Sequence, residues 1–172
     1  AVSENEFYFI PNDYSALYHY YGGVLTEIED DLGLEGDYDF YGVDGTGGDD
    51  VYVSITDNVA NDTVYHYDGA AWSEVDVSSL PAAHYVDVIY AAGQQDIYLM
   101  WYDSGWSPHI EYYDGSSWSS VPLADSVLSG SKCETFGEGK LAAVDFNGNT
   151  LYVLEDGAIA NEIAYSGSQP FG

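Results

Sequence analysis

At 172 residues the chain is long enough for one domain with a real core, and its apolar content of 46%, with 18 Tyr, excludes intrinsic disorder. Thirty Asp and Glu stand against two basic residues, Lys132 and Lys140, for a formal net charge of -28. Nucleic acid is thereby excluded as a partner, since phosphate binding needs Lys and Arg to displace counterions, and insertion at an anionic membrane is disfavoured for the same reason.

The elements follow one another as strands. Glu6-Phe7-Tyr8-Phe9 opens the chain, and Leu17-Tyr18-His19-Tyr20-Tyr21-Gly22-Gly23 follows it. The same pair returns as Asp50-Val51-Tyr52-Val53 and Val64-Tyr65-His66-Tyr67-Asp68-Gly69, then as Asp96-Ile97-Tyr98-Leu99 and Ile110-Glu111-Tyr112-Tyr113-Asp114-Gly115. A fourth, more degenerate copy reads Lys140-Leu141-Ala142-Ala143 and Leu151-Tyr152-Val153-Leu154-Glu155-Asp156-Gly157. The first elements start 44, 46 and 44 residues apart. Runs of Val, Ile, Tyr and Trp between Gly, Asp and Asn clusters are strands joined by turns, and in the second copy they predict Asp50–Ile55, Thr63–Tyr67, Trp72–Val77 and Tyr85–Ala91. Asp-Gly at 68–69, 114–115 and 156–157 predicts tight turns. A repeat of this length with four strands is the arithmetic of a propeller blade, so the expected fold is all-β: one domain over 1–172, a β-propeller-like array with repeats near 4–48, 49–94, 95–139 and 140–172.

Tyr-Asp-Gly-x-x-Trp, at 67–72 and 113–118, preceded by a strand opening on Asp-[Val/Ile]-Tyr, resembles the degenerate blade repeat of secreted bacterial β-propellers. The resemblance implies fold and specifies no activity. It also implies a phase in which the innermost strands start near Tyr38, Tyr85 and Cys133, leaving the first 30 residues with three strands. A ring then closes through the tail from Tyr165 to Gly172, which is poor strand material, through a strand donated by another copy, or through two chains sharing a larger ring.

Charge of -28 repels itself in a compact state, and molar salt, with a screening length of about 3 Å, removes most of that cost. A halophilic protein and a secreted acidic protein neutralised by divalent cations or low pH both answer to it. Cys133 is the single cysteine, so no intramolecular disulfide forms, and it reads as an inert core residue. Ala1-Val2-Ser3 fits a mature end left by signal-peptide cleavage, so the expected location is extracellular or at the cell surface. Asn61-Asp62-Thr63 matches the N-glycosylation acceptor pattern.

Candidate chemistry is sparse. Asp44-Gly45-Thr46-Gly47-Gly48-Asp49-Asp50 puts three carboxylates on a Gly-rich loop, the hard oxygen ligands that Ca²⁺ takes, so Asp44, Asp49 and Asp50 are the candidate Ca²⁺ ligands. Asp145-x-Asn147-x-Asn149 opens like an EF-hand but has Thr150 where that loop needs Gly, and reads better as a turn. His19 and His66 are repeat-equivalent, hence in different blades and structural; with His84 and His109 they make no zinc spacing. Trp72 and Trp118 recur and are expected to pack between blades. Trp101, Tyr102, Asp103 and Trp106 have no repeat counterpart, and aromatic faces beside a carboxylate suit a sugar. The sequence thus points to a noncatalytic extracellular propeller that binds a carbohydrate or protein. The alternative is a structural subunit of a homo-polymeric surface assembly completed by strand exchange, and the third reading is a glycoside hydrolase, for which no carboxylate pair is marked.

Overall fold

The structure, a computed structural model, describes residues 5–28, 32, 38–56, 62–80, 85–123, 132–145 and 149–165. Its strands form four antiparallel sheets in chain order. The first contains β1 (Glu6–Phe9), β2 (Tyr18–Tyr21) and β3 (Val24–Glu27). The second contains β4 (Asp39–Gly47), β5 (Asp50–Thr56), β6 (Asp62–Tyr67) and β7 (Trp72–Val75). The third contains β8 (Tyr85–Gly93), β9 (Asp96–Tyr102), β10 (Pro108–Tyr113) and β11 (Trp118–Ser120). The fourth contains β12 (Lys132–Gly137), β13 (Lys140–Asp145), β14 (Thr150–Glu155) and β15 (Ala158–Ala164). Each sheet is a meander of neighbouring strands, and the array is propeller-type. Each four-stranded sheet starts one strand earlier than the repeats counted from Asp-[Val/Ile]-Tyr, and the first sheet has three strands.

Strands β4, β8 and β12 are the inner ones: β8 lies along β4 and β5 on one side and along β12 and β13 on the other. Strand β1 lies beside β4. Among the described residues no comparable packing joins the fourth sheet to the first.

Sequence alternation explains the packing. Along β5 and β9 one set of side chains faces the following sheet and the other the preceding one, while among the described residues β1 has only a following sheet and β13 only a preceding one to pack on. Tyr52, Val64 and Val75 of the second sheet pack with Ile97 and Leu99 of the third, and Tyr98, Ile110 and Tyr112 pack with Leu141 and Leu154 of the fourth. Leu17 and Ile28 of the first sheet join Val53 and Ile55 of the second. A strand between two sheets is therefore buried on both faces, as β5 is throughout.

One tyrosine per joint reaches across. Tyr8 Oη approaches Gly48 O at 3.5 Å, Tyr52 takes the backbone of Gln95, and Tyr98 Oη donates to Gly139 O at 2.7 Å while accepting from Gly157 N at 3.2 Å. The backbone regions met are the turns that end the inner strand of the next sheet, Gly48 and Gly139 accepting through their carbonyls and Gln95 donating its N–H. Trp118 acts likewise on the rim: its Nε1 donates to Asp76 O of the second sheet at 2.8 Å.

The Asp-Gly turns take two forms. At 68–71 and 114–117 the loop has four residues, and the Asp carboxylate accepts from the next two backbone N–H groups but one, Ala70 and Ala71 or Ser116 and Ser117, at 2.8 to 2.9 Å. Only Asp156-Gly157 is a two-residue hairpin, with φ of 49° and 74°.

The expected Gly-rich loop at 44–50 is instead strand and tight hairpin. Gly42 and Gly45 are in β4 because a Cβ there would stand 3.0 Å from Ile89 N and 2.4 Å from Asp50 O, so the sheet admits no side chain. Bulges at Gly45/Gly47, Ala91/Gly93 and Thr135/Gly137 repeat the same bend in all three inner strands.

Candidate functional site

The carboxylates proposed as Ca²⁺ ligands go to separate partners. Asp44 is half-buried and accepts from Gly45 N and Ala91 N, both at 2.9 Å, tying β4 to β8; burial raises its pKa against those bonds. Asp50 is buried and is met by Thr46 Oγ1 and, at 2.8 Å, by His66 Nε2. Asp49 is exposed in the turn. The three do not converge, and among the described residues no set of three His, Cys, Asp or Glu is placed to hold a metal. These residues do not fit a Ca²⁺ ion, because strand alternation turns Asp44 and Asp50 to different neighbours.

Histidines bridge carboxylates within their sheets. His19 Nε2 meets Glu6 Oε1 at 3.1 Å in the first sheet, as His66 meets Asp50 in the second. In the third sheet Tyr112 Oη donates to Asp96 Oδ1 at 2.7 Å in the same place. Each bridging ring packs on the tyrosine that crosses the joint, Tyr8 on His19 and Tyr52 on His66 at 4.2 Å, and Tyr98 near Tyr112 at 5.0 Å. His84 and Asn61 lie outside the described residues. Cys133 is half-buried beside Tyr90, and burial pushes its thiol up to about 11, so it stays protonated and unreactive at neutral pH.

The four residues without repeat counterparts separate. Trp101 is buried and stacks on His109 at 4.4 Å. Asp103 shapes its own loop, accepting from Gly105 N at 2.8 Å and Ser107 N at 2.9 Å and meeting His109 Nε2 at 3.3 Å. Those bonds hold its carboxyl below the usual carboxylate range. Tyr102 and Trp106 do reach the surface, and they are not alone there. Trp106, 68% exposed, stacks face to face on Tyr85 at 5.1 Å and sits 6.2 Å from Tyr102. Tyr14 stacks on Tyr41 at 5.4 Å.

Asp87 links the two pairs. It accepts a hydrogen bond from the Tyr102 hydroxyl and lies within electrostatic reach of Tyr41. Tyr41 and Asp87 are at the starts of inner strands β4 and β8, which run side by side, so one end of the array carries a band of five aromatic rings around a carboxylate. Burial raises the pKa of Asp87, and burial with Asp39, Asp62 and Asp87 raises that of Tyr41. Buried Asp62 accepts from Val86 N and fastens the second sheet to the third below the band.

Two band residues hold strained backbone. Tyr14 has φ 58° and Trp106 φ 62°, a region that side chains other than Gly, Asn and Asp seldom adopt. The other non-glycine residues there, Gln95, Asn149 and Asp156, occupy tight hairpin turns. Trp106 sits in the hairpin turn between β9 and β10, its N–H donating to Asp103 O at 2.9 Å, and Tyr14 ends a turn closed by its N–H to Pro11 O at 3.0 Å. Sequence reading missed Tyr14, Tyr41 and Tyr85, because they are 27 and 44 residues apart and only sheet packing gathers them.

Two concavities lie elsewhere. One of about 470 Å³ opens at the opposite end of the inner strands, walled by Gly45, Thr46, Ala91, Gly93 and Phe136, largely backbone and small side chains. The other, about 430 Å³, is between the first and second sheets and is lined by Tyr8, His19, Tyr67 and Trp72.

No family model and no curated protein matches this chain. Among solved structures it is similar to YCF48 from Cyanidioschyzon merolae, with 17% sequence identity and a TM-score of 0.55. The likeness covers 98% of this chain but 56% of that one, so the chain spans little more than half of the protein it matches. At that identity the likeness carries the propeller fold alone. Among the described residues no helix is long and apolar enough to cross a membrane.

Proposed function

We propose that this chain is a noncatalytic binding propeller whose aromatic band holds a neutral carbohydrate. The observation that carries the reading is the band itself: Tyr14, Tyr41, Tyr85, Tyr102 and Trp106 converge around Asp87, with four of the rings 40% to 68% exposed. Aromatic faces bind the C–H faces of sugar rings, and a half-buried carboxylate accepts from their hydroxyls. Strained φ at Tyr14 and Trp106 supports a binding role, since such strain persists where the surrounding structure presents a side chain for use. The net charge of -28 argues against sulfated or uronic glycans and for uncharged ones. It also supports an extracellular or high-salt setting, where screening removes the self-repulsion.

The test is a glycan array of neutral oligosaccharides, read in molar NaCl, followed by titration of any hit using tryptophan fluorescence. Retention of a neutral glycan that Trp106→Ala and Tyr41→Ala each weaken tenfold or more is the expected result. Binding that neither substitution alters, or selective retention of anionic glycans, overturns it.

A further inference from the structure

Among the described residues, the first and fourth sheets leave uncovered the same pair of surfaces that the chain buries against each other three times in its interior. On the side of each sheet facing the next, two apolar positions recur: Leu17 and Ile28, Val64 and Val75, Ile110 and Val121, then Leu151 and Ile163. The first six are 8% exposed or less, each covered by the following sheet. Leu151 is half-buried and Ile163 is 44% exposed. Strand β13 shows the same loss of cover: β5 is buried at every position, whereas β13 alternates, with Ala142 and Val144 half-exposed on the side away from the third sheet.

The opposite surface is on the first sheet. Phe7 and Phe9 occupy the positions of Val51 and Val53, or Ile97 and Leu99, which are buried against the preceding sheet. With Tyr20 and Tyr18 they form two stacked pairs, at 4.9 and 5.4 Å, and none of the four belongs to a core cluster among the described residues.

Side-chain size makes these two surfaces partners. At interior joints a large pair, Tyr52 with His66 or Tyr98 with Tyr112, meets small aliphatics, Ile97 and Leu99 or Leu141. On the fourth sheet the large pair has become Ala142 and Val153, and on the first sheet the small residues have become Phe7 and Phe9. Volume lost from one surface is gained on the other, as close packing across a joint requires.

We infer that a second copy of this chain docks head to tail, its first sheet against the fourth sheet of its partner, through a fourth-type joint built from Phe7, Phe9, Ala142, Val153, Leu151 and Ile163. The occupant is a copy of the same chain because the joint repeats the chain's own three interior ones, and because the two surfaces are at opposite ends of an array in which, among the described residues, the fourth sheet makes no comparable packing with the first. The contact is heterologous, and two copies close it on themselves when each supplies one of either surface. This inference does not depend on the aromatic band.

Each copy carries a charge of -28, so the pair forms under screening. Light scattering in 2 M NaCl should give twice 18.8 kDa, falling toward monomer as salt is diluted. Phe7→Asp and Ile163→Asp should each abolish the dimer while leaving circular dichroism and thermal unfolding cooperative. An equimolar mixture of the two variants should recover a dimer, because one intact joint remains between unlike chains. A cysteine pair, Phe9→Cys with Ala142→Cys in a Cys133→Ala background, tests the joint without destabilising charge: oxidation should yield a covalent dimer on non-reducing gels. A monomer at all salt concentrations, a dimer insensitive to both substitutions, or a disulfide formed within one chain overturns the inference.

Discussion

In the second sheet the buried carboxylate of Asp50 is met by His66 Nε2 at 2.8 Å; in the third, Asp96 at the matched place is met by Tyr112 Oη at 2.7 Å. The two bridges share a strand register, Tyr52 opposite His66 and Tyr98 opposite Tyr112. What the joint specifies is a flat ring packed on the crossing tyrosine, stacked for His66 and tilted by 43° for Tyr112, that delivers one hydrogen to the acid; imidazole and phenol both satisfy it. Repeat degeneracy here is chemical equivalence rather than decay. The fourth sheet shows the limit, since Lys140, Ala142 and Val153 keep neither ring nor acid.

The largest test of that comparison removes the crossing ring itself. Tyr98→Ala deletes a buried aromatic and its two hydrogen bonds to the fourth sheet, and is expected to cost about 3–5 kcal/mol in urea unfolding. Loss below about 1 kcal/mol would show that the third-to-fourth joint does not rest on this residue. Next come the bridges. His66→Phe and Tyr112→Phe keep the ring contact but remove the donor, for about 1–3 kcal/mol each. His66→Phe should cost more, because Asp50 is the more deeply buried acid. Equal costs would break the comparison, showing that burial of the acid does not set the value of its donor.

Alkali separates phenol from imidazole. Burial raises the Tyr98 hydroxyl from its ordinary value of 10.0 to about 12. A phenol raised in the folded state contributes stability that is whole below pH about 10 and is lost as pH climbs through about 12. Unfolding midpoints should therefore fall from pH 10 upward, and Tyr98→Phe should flatten part of that fall. A slope that the substitution leaves unchanged would assign the effect to other tyrosines. The smallest expected effect concerns the band. Trp106→Gly relieves φ 62° and should leave stability within about 1 kcal/mol of the parent while glycan binding is lost. A large fall in melting temperature would make Trp106 a packing residue instead.

Strands were legible in the sequence because they are local: Val-Tyr-Val alternation and Asp-Gly punctuation sit within single repeats, whereas the phase came from the resemblance to propeller blades. The three-stranded first sheet followed from counting strands against Tyr38, Tyr85 and Cys133. Turn form was less legible, since Asp68-Gly69 and Asp156-Gly157 read alike yet close four-residue and two-residue loops. The Gly-rich stretch at 44–50 misled for a packing reason: Gly45 yields to the backbone of Asp50, and Gly47 and Gly48 to the side chains of Asp49 and Glu6, which resembles loop flexibility in one dimension. The band was half legible. Tyr102 and Trp106 stand out as unrepeated, but Tyr14, Tyr41 and Asp87 join them only through the alignment of β4 with β8, a relation no local pattern encodes.

Asp44 is held by backbone N–H groups, Asp50 by a histidine and a threonine, Asp62 by a backbone N–H, Asp96 by a tyrosine, Asp103 by a loop and Glu111 by Ser120. In none of these six does a lysine take part. These six contacts are thus independent of the protein's cations, and an evolving lineage is free to exchange outward-facing residues for acids, one after another, without unpicking a single one of them.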